Sequence, residues 1–208
     1  MKILVSQRIF FDKNTNEHRD CIDQKIIEWI TKISCTPILV PNNLVKNSKN
    51  YSKLYNFIKQ IKPRGLILTG GESQGIYRSR DETEKYLIKY FLKKNYPIFG
   101  ICRGMQIIAS YFGSKLFKMG GHVRTRHDTI IKVKNGKFPN KVNSYHNLVV
   151  KKCPKNFIIT VMIKDKTIEG IKHKKKRIEA CMWHPERERK FNYNDISRIK
   201  KFFHEKKN

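Results

Sequence analysis

Short, β-branched apolar runs alternate with longer stretches of helical period through the first half of this chain. The runs fall at residues 3–5, 37–40, 65–69 and 97–101. Between them, residues 21–33 carry apolar side chains at 22, 26, 27, 29, 30 and 33, and residues 51–61 at 51, 54, 55, 57, 58 and 61. Both spacings predict helices. Asp81-Glu82-Thr83-Glu84 reads as a capping-box start for a helix to about residue 95, and residues 103–112 form another, halted by Gly113. Parallel strands need long crossovers, and the crossover helices cover both sheet faces. The expected class is therefore α/β, with a mostly parallel central sheet sandwiched by helices.

After Gly113 the character changes. Residues 130–133, 137–142 and 148–152 read as short antiparallel strands with polar turns such as Asn135-Gly136. Another apolar run occupies 158–163. A stripe of Ile196, Ile199, Phe202 and Phe203 within residues 187–207 predicts a closing helix. No repeat or Pro/Gly-rich linker interrupts the 208 residues, which suit a single domain.

No apolar run is long enough for a transmembrane helix, and Ser6-Gln7-Arg8 turns polar too early for a signal peptide. A cytoplasmic protein without membrane contact is expected. The five cysteines are odd in number and lack CxxC spacing, so neither a disulfide framework nor a zinc site is signalled, and no metal or cofactor is expected. The net charge of +28 invites a nucleic-acid reading. Yet the lysines are scattered, and no helix-turn-helix, zinc-finger or aromatic-basic signature accompanies them. A solvated basic surface that steers in an acidic small molecule is preferred over a basic nucleic-acid-binding protein.

The chemistry concentrates in Gly100-Ile101-Cys102-Arg103-Gly104-Met105-Gln106. A buried strand ends at Ile101 and a helix starts just past Cys102, so the thiol sits on a sharp strand-to-helix turn facing the positive end of the helix dipole. Gly100 and Gly104 suit that turn because side chains there would collide. A nucleophile needs a base and a group to orient it. Met182-Trp183-His184-Pro185-Glu186 supplies both, with His184 as base and Glu186 holding the imidazole tautomer. Gly70-Gly71 ends the 65–69 run. The backbone N–H of Gly71, with that of Arg103, is a candidate oxyanion hole. Cys21, Cys35, Cys153 and Cys181 are read as packing residues.

Taken together, Gly70-Gly71, Arg80-Asp81-Glu82-Thr83-Glu84, Gly100-Ile101-Cys102-Arg103-Gly104-Met105-Gln106, Val142-Asn143-Ser144-Tyr145-His146 and Trp183-His184-Pro185-Glu186 resemble the class I glutamine amidotransferase family. Within it they are most similar to the γ-glutamyl hydrolase branch that acts without a synthetase partner. The resemblance spans residues 65–187, with 1–43 fitting the branch's opening strand, helix and strand. It implies a flavodoxin-like three-layer sandwich with a small antiparallel appendage, and hydrolysis of a γ-glutamyl amide through a Cys102 thioester. It also implies that Gly70, Gln106, Asn143, Ser144, Tyr145 and His146 hold the glutamyl group. Two departures bear on the leaving group: Glu72-Ser73-Gln74 stands where many members carry an aspartate, and Tyr145-His146-Asn147 where many read x-His-His-Gln. A γ-glutamyl polyamine, or glutamine cleaved to supply ammonia to a synthetase, remain alternatives to a nucleotide-linked substrate. Gly120-Gly121-His122-Val123-Arg124-Thr125-Arg126-His127 gathers two arginines and two histidines, a candidate phosphate grip built from His122, Arg124, Arg126 and His127.

Overall fold

The computed structural model describes residues 1–45 and 50–205. Its first half runs β1 (Lys2–Ser6), β2 (Arg8–Asp12), β3 (Glu17–Cys21), α1 (Gln24–Lys32), β4 (Thr36–Val40), α2 (Ser52–Ile61), β5 (Gly65–Leu68), α3 (Arg78–Lys94), β6 (Ile98–Ile101) and α4 (Arg103–Tyr111). The second half is mostly strand. It comprises β7 (Leu116–Lys118), β8 (Val123–Asp128), β9 (Ile130–Ile131), β10 (Lys141–Tyr145), β11 (Leu148–Val150), β12 (Phe157–Met162), β13 (Ile168–His173) and β14 (Ile178–Cys181), closed by α5 (Tyr193–His204). Lys206 and Lys207, included in the expected closing segment, lie outside the described residues.

Eight strands form one sheet in the order β4-β1-β5-β6-β14-β13-β12-β9. The first five are parallel and the last three antiparallel. Strand alternation divides the core. Leu4, Leu66, Leu68 and Ile98 face α2, α3 and α4, while Ile3, Val5, Ile67, Phe99 and Ile101 face α1 and α5. Each fully buried Ile or Leu contributes about 1.5–3 kcal/mol, so a sheet covered on both faces is the stable arrangement for these runs. The α/β sandwich expected from the alternation is what forms.

Several boundaries differ from the sequence reading. The helix expected from Cys21 starts at Gln24, where the Asp23 side chain accepts from Lys25 N–H at 2.9 Å. Cys21 instead ends the ribbon β2–β3, which the polar composition of residues 8–20 concealed. β9 extends the main sheet rather than joining the appendage. The strand expected at 137–142 is displaced to β10, which pairs with β8, while β7 pairs with β11.

The largest difference concerns Asp81 and Glu84. α3 begins a turn earlier, at Arg78, so these two carboxylates do not cap it. Both are buried and receive the Arg103 guanidinium; Glu84 also pairs with Arg80 at 3.1 Å. Burial opposes ionisation of Glu84, but Arg103 and Arg80 outweigh it and hold its carboxyl below the ordinary range.

Candidate active site

The carboxyl ends of β1, β5, β6 and β14 lie side by side, where open α/β sheets bind ligands. Cys102 follows β6 with φ 51° and ψ −104°, a strained conformation for a non-glycine residue. Its N–H donates to the Cys181 carbonyl at 2.7 Å, which anchors the turn to the neighbouring strand. Two glycines make this geometry possible. A side chain on Gly100 would strike the Gly104 backbone at 2.6 Å, and one on Gly104 would collide with the Leu68 carbonyl. The amino end of α4 therefore packs directly on the end of β5.

His184 follows β14 and is almost wholly buried. Pro185–Arg187 make a single tight turn, closed by Arg187 N–H donating to the His184 carbonyl at 3.1 Å. That turn brings the Glu186 carboxylate back to the imidazole, with Nδ1 to Oε1 at 2.6 Å. Burial pushes the imidazole pKa down, but the neighbouring Cys102 sulfur and Glu186 outweigh this and raise it to about 9. Cys102, His184 and Glu186 are thus neighbours, with the imidazole interacting with both. Among the other cysteines, Cys35 also meets a histidine, His204 Nε2 at 3.6 Å, but its thiol is held protonated by burial. Burial pushes Cys35 up to about 11 and Cys181 well above the ordinary thiol range, and it raises Cys21 and Cys153 too.

The residues expected to bind substrate take varied positions. A side chain on Gly70 would meet His184 Cε1 at 2.6 Å, so the glycine makes room for the imidazole. Gly71 has φ +137°, which leaves little choice but glycine. Asn143 clamps the His184 backbone: its Oδ1 accepts from the His184 N–H at 2.9 Å and its Nδ2 donates to the His184 carbonyl at 2.8 Å. Tyr145 meets the His184 ring edge-on at 5.7 Å. Ser144 and His146 alternate to the other side of β10, where Ser144 Oγ donates to the His122 carbonyl at 2.6 Å. Gln106 is buried and its Nε2 donates to the Leu148 carbonyl at 3.2 Å.

The four residues of the expected phosphate grip are not brought together. His122 is buried against His127 and His146, because the β8–β10 pairing turns it inward. Arg124 is exposed, and Arg126 is exposed but paired with Glu188 at 3.1 Å. A cleft of about 320 Å³ beside His184 and Glu186 is lined by Gly70, Gly71, the start of α1 and two arginines, Arg8 and Arg187. Arg187 also lies over the Tyr145 ring at 4.7 Å. Sequence reasoning missed both arginines, since nothing in their local pattern separates them from the many other basic residues.

Arg80, named in the sequence only as part of the family signature, also has a role here that was not read from it. Its guanidinium donates to the Thr69 carbonyl at 3.1 Å, the Gly70 carbonyl at 2.9 Å and Glu72 at 2.7 Å. With Glu84 shared between Arg80 and Arg103, one buried network joins the glycine turn to the first residue of α4. The i,i+4 spacing of Arg80 and Glu84 was the available signal.

Comparison with known proteins gives the family and the fold. The family model for class-I glutamine amidotransferases matches residues 17–205, and the chain belongs to that family. With membership comes cysteine-dependent hydrolysis of a γ-glutamyl amide. Among relatives, the chain is 30% identical to the gamma-glutamyl-CDP-amidate hydrolase of Campylobacter jejuni, over 98% of each chain. It is 30% identical to anthranilate synthase component 2 of Thermococcus kodakarensis, over 72% of this chain and 86% of the relative. Its fold matches the glutaminase domain of the Trypanosoma brucei CTPS, solved with bound acivicin, at a TM-score of 0.73 and 12% identity, covering 97% and 93% of the two chains. No helix among the described residues is long and apolar enough to cross a membrane.

Proposed function

We propose that this protein hydrolyses γ-glutamyl-CDP-amidate, with Cys102 as nucleophile, His184 as acid–base and Glu186 orienting the imidazole. The observation that carries the chemistry is the strained Cys102 turn with the buried His184–Glu186 pair against it. Cys102 Sγ attacks the γ-carbonyl carbon, and the developing oxyanion turns toward the backbone N–H groups of Gly71 and Arg103. The tetrahedral intermediate collapses as His184 hands its proton to the departing nitrogen. A thioester to glutamate remains. Water, deprotonated by His184, then attacks the thioester and releases glutamate and the free thiol. The other product is cytidine diphosphoramidate, with capsule modification as its expected use.

The choice of leaving group rests on the relative from Campylobacter and on charge. A polyamine is repelled by a +28 chain, whereas a nucleotide diphosphate is attracted. Arg8 and Arg187 stand at the cleft where such a diphosphate would leave the glutamyl end. Arg124 and Arg126 form the alternative pair.

The test is glutamate release from γ-glutamyl-CDP-amidate, a γ-glutamyl polyamine and free glutamine, with the nucleotide expected to show the highest kcat/KM. Alanine at Arg8 or Arg187 is expected to raise KM for the nucleotide. A lost charged hydrogen bond costs ~1.5–3 kcal/mol, or roughly 10- to 150-fold per arginine. For Arg8→Ala an uncharged γ-glutamyl amide should be unaffected, whereas Arg187, 3.9 Å from Glu186, should affect both substrates in part. If Arg124→Ala and Arg126→Ala carry that effect instead, the diphosphate lies over β8. Glutamine turned over as fast as the nucleotide would overturn the substrate assignment.

Glu186→Gln should retain more activity than loss of His184. The base remains and only its orientation and cation stabilisation suffer. Steady-state rates of the two variants check this ranking, and equal losses would reverse the assigned roles.

A further inference from the structure

A second cluster of chemistry-bearing side chains lies on the far side of β10 from the catalytic histidine. His122 precedes β8, His146 follows β10 and Glu169 lies in β13. One ligand atom from each lies within 4.8 Å of the other two. All three residues are buried: His122 is 1% exposed, His146 4% and Glu169 0%.

Their polar atoms are poorly served by the protein. His122 Nδ1, both ring nitrogens of His146 and both carboxylate oxygens of Glu169 have no hydrogen-bond partner among the described residues. His146 Nε2 stands 3.4 Å from Glu169 Oε1, an ion-pair separation without hydrogen-bond geometry. Native proteins leave only a few buried polar atoms so, because each costs about 1–3 kcal/mol, and here five fall on three neighbouring residues. One ligand atom from each of the three lies within reach of a common partner.

We propose that His122, His146 and Glu169 bind a divalent transition-metal ion of the zinc class. Two imidazole nitrogens and a carboxylate oxygen, with no thiolate, are an N/O donor set suited to Zn²⁺. His122 is already arranged for ligation. Its Nε2 lies 3.0 Å from Asp165 Oδ2, a carboxylate partner of the kind that orients ligating histidines, while its Nδ1 has no partner among the described residues. His127, whose Nε2 is also without a partner and whose ring lies 4.8 Å from that of His122, is available as a fourth donor. Tetrahedral bonds of about 2.0–2.1 Å set ligand atoms roughly 3.3 Å apart, a closure within side-chain reach.

The ion's task follows from where the ligands come from. His122 and His146 belong to the β8–β10 ribbon, and Glu169 to the main sheet, where its carbonyl accepts from Met182 N–H at 2.8 Å. The ribbon also carries Asn143, which clamps the His184 backbone. Zinc would rivet the appendage to the sheet and so hold the clamp in place. This assignment does not depend on which amide the enzyme cleaves. Sequence spacing could not reveal it, because the ligands come from three distant segments.

Untagged full-length protein tests the site. Cys102→Ala serves as the background, so that zinc captured by the catalytic thiol is not counted. Chelator-stripped protein titrated with Zn²⁺ alone is expected to take up one ion per chain by calorimetry and elemental analysis, and its Tm to rise. His122→Ala with His146→Ala should abolish uptake; Glu169→Gln, nearly isosteric, should weaken it while circular dichroism stays unchanged. Asp165→Asn should cost roughly 10- to 100-fold in zinc affinity, and exposed His18→Ala nothing. No uptake at micromolar Zn²⁺, or stoichiometric uptake that survives His122→Ala with His146→Ala, would overturn the assignment.

Discussion

Cys102→Ala is expected to abolish glutamate release, by on the order of 10⁶-fold, while leaving the fold intact. Alanine cannot form a thioester, and the site offers no other nucleophile with a base beside it. The substitution removes one sulfur from a turn whose geometry is set by the Gly100 and Gly104 packing and by the Cys102 N–H to Cys181 bond, none of which involves the thiol. Cys35→Ala and Cys153→Ala should change the rate little, since those thiols are raised by burial and stand away from His184. Single-turnover mass spectrometry of the wild type should find a glutamyl adduct on the peptide containing Cys102. Full activity in Cys102→Ala would sink the mechanism.

Loss of His184 should be the second-largest effect. In His184→Asn the thiol loses its proton acceptor and the leaving nitrogen its proton donor, a double deficit of on the order of 10²–10⁴-fold. The same residue sets a pH dependence. Burial disfavours the imidazolium, yet the neighbouring Cys102 sulfur and Glu186 raise its pKa from 6.5 to about 9. A group raised on folding contributes stability that is complete below 6.5 and is lost as pH climbs through about 9. Activity should decline in the same window, because the proton destined for the leaving group is gone. Rate and Tm measured from pH 6 to 10 check both limbs. A Tm that declines over this window equally in wild type and His184→Asn would mean that another group titrates.

The orienting network around these residues was less legible than the triad. Asp81 and Glu84 show the reason. An acidic residue three positions before another at a helix start matches a capping box, and spacing alone cannot say whether solvent or a guanidinium awaits it. The helix began a turn earlier, and Arg103, nineteen residues beyond Glu84, supplied the partner. Asn143 is a similar case: its position near the site was readable, but its clamp on His184 requires residues 41 apart to meet.

What the sequence by itself determined is local. The period of its apolar residues marked the buried strands β1, β4, β5 and β6 and the helices between them, because burying a face requires that spacing. Gly100, Cys102 and Gly104 encoded the strained turn, since only glycines allow that approach of backbones. His184-Pro185-Glu186 encoded the base and its orienting carboxylate within one tight turn. The tertiary structure alone decided which distant groups share a buried space. It placed Arg8 and Arg187 at the cleft, joined Arg80, Glu84 and Arg103 into one network, and turned His122 and His146 inward beside Glu169. Those meetings are set by strand order and sheet register, which bring together residues whose separation along the chain carries no periodic signal.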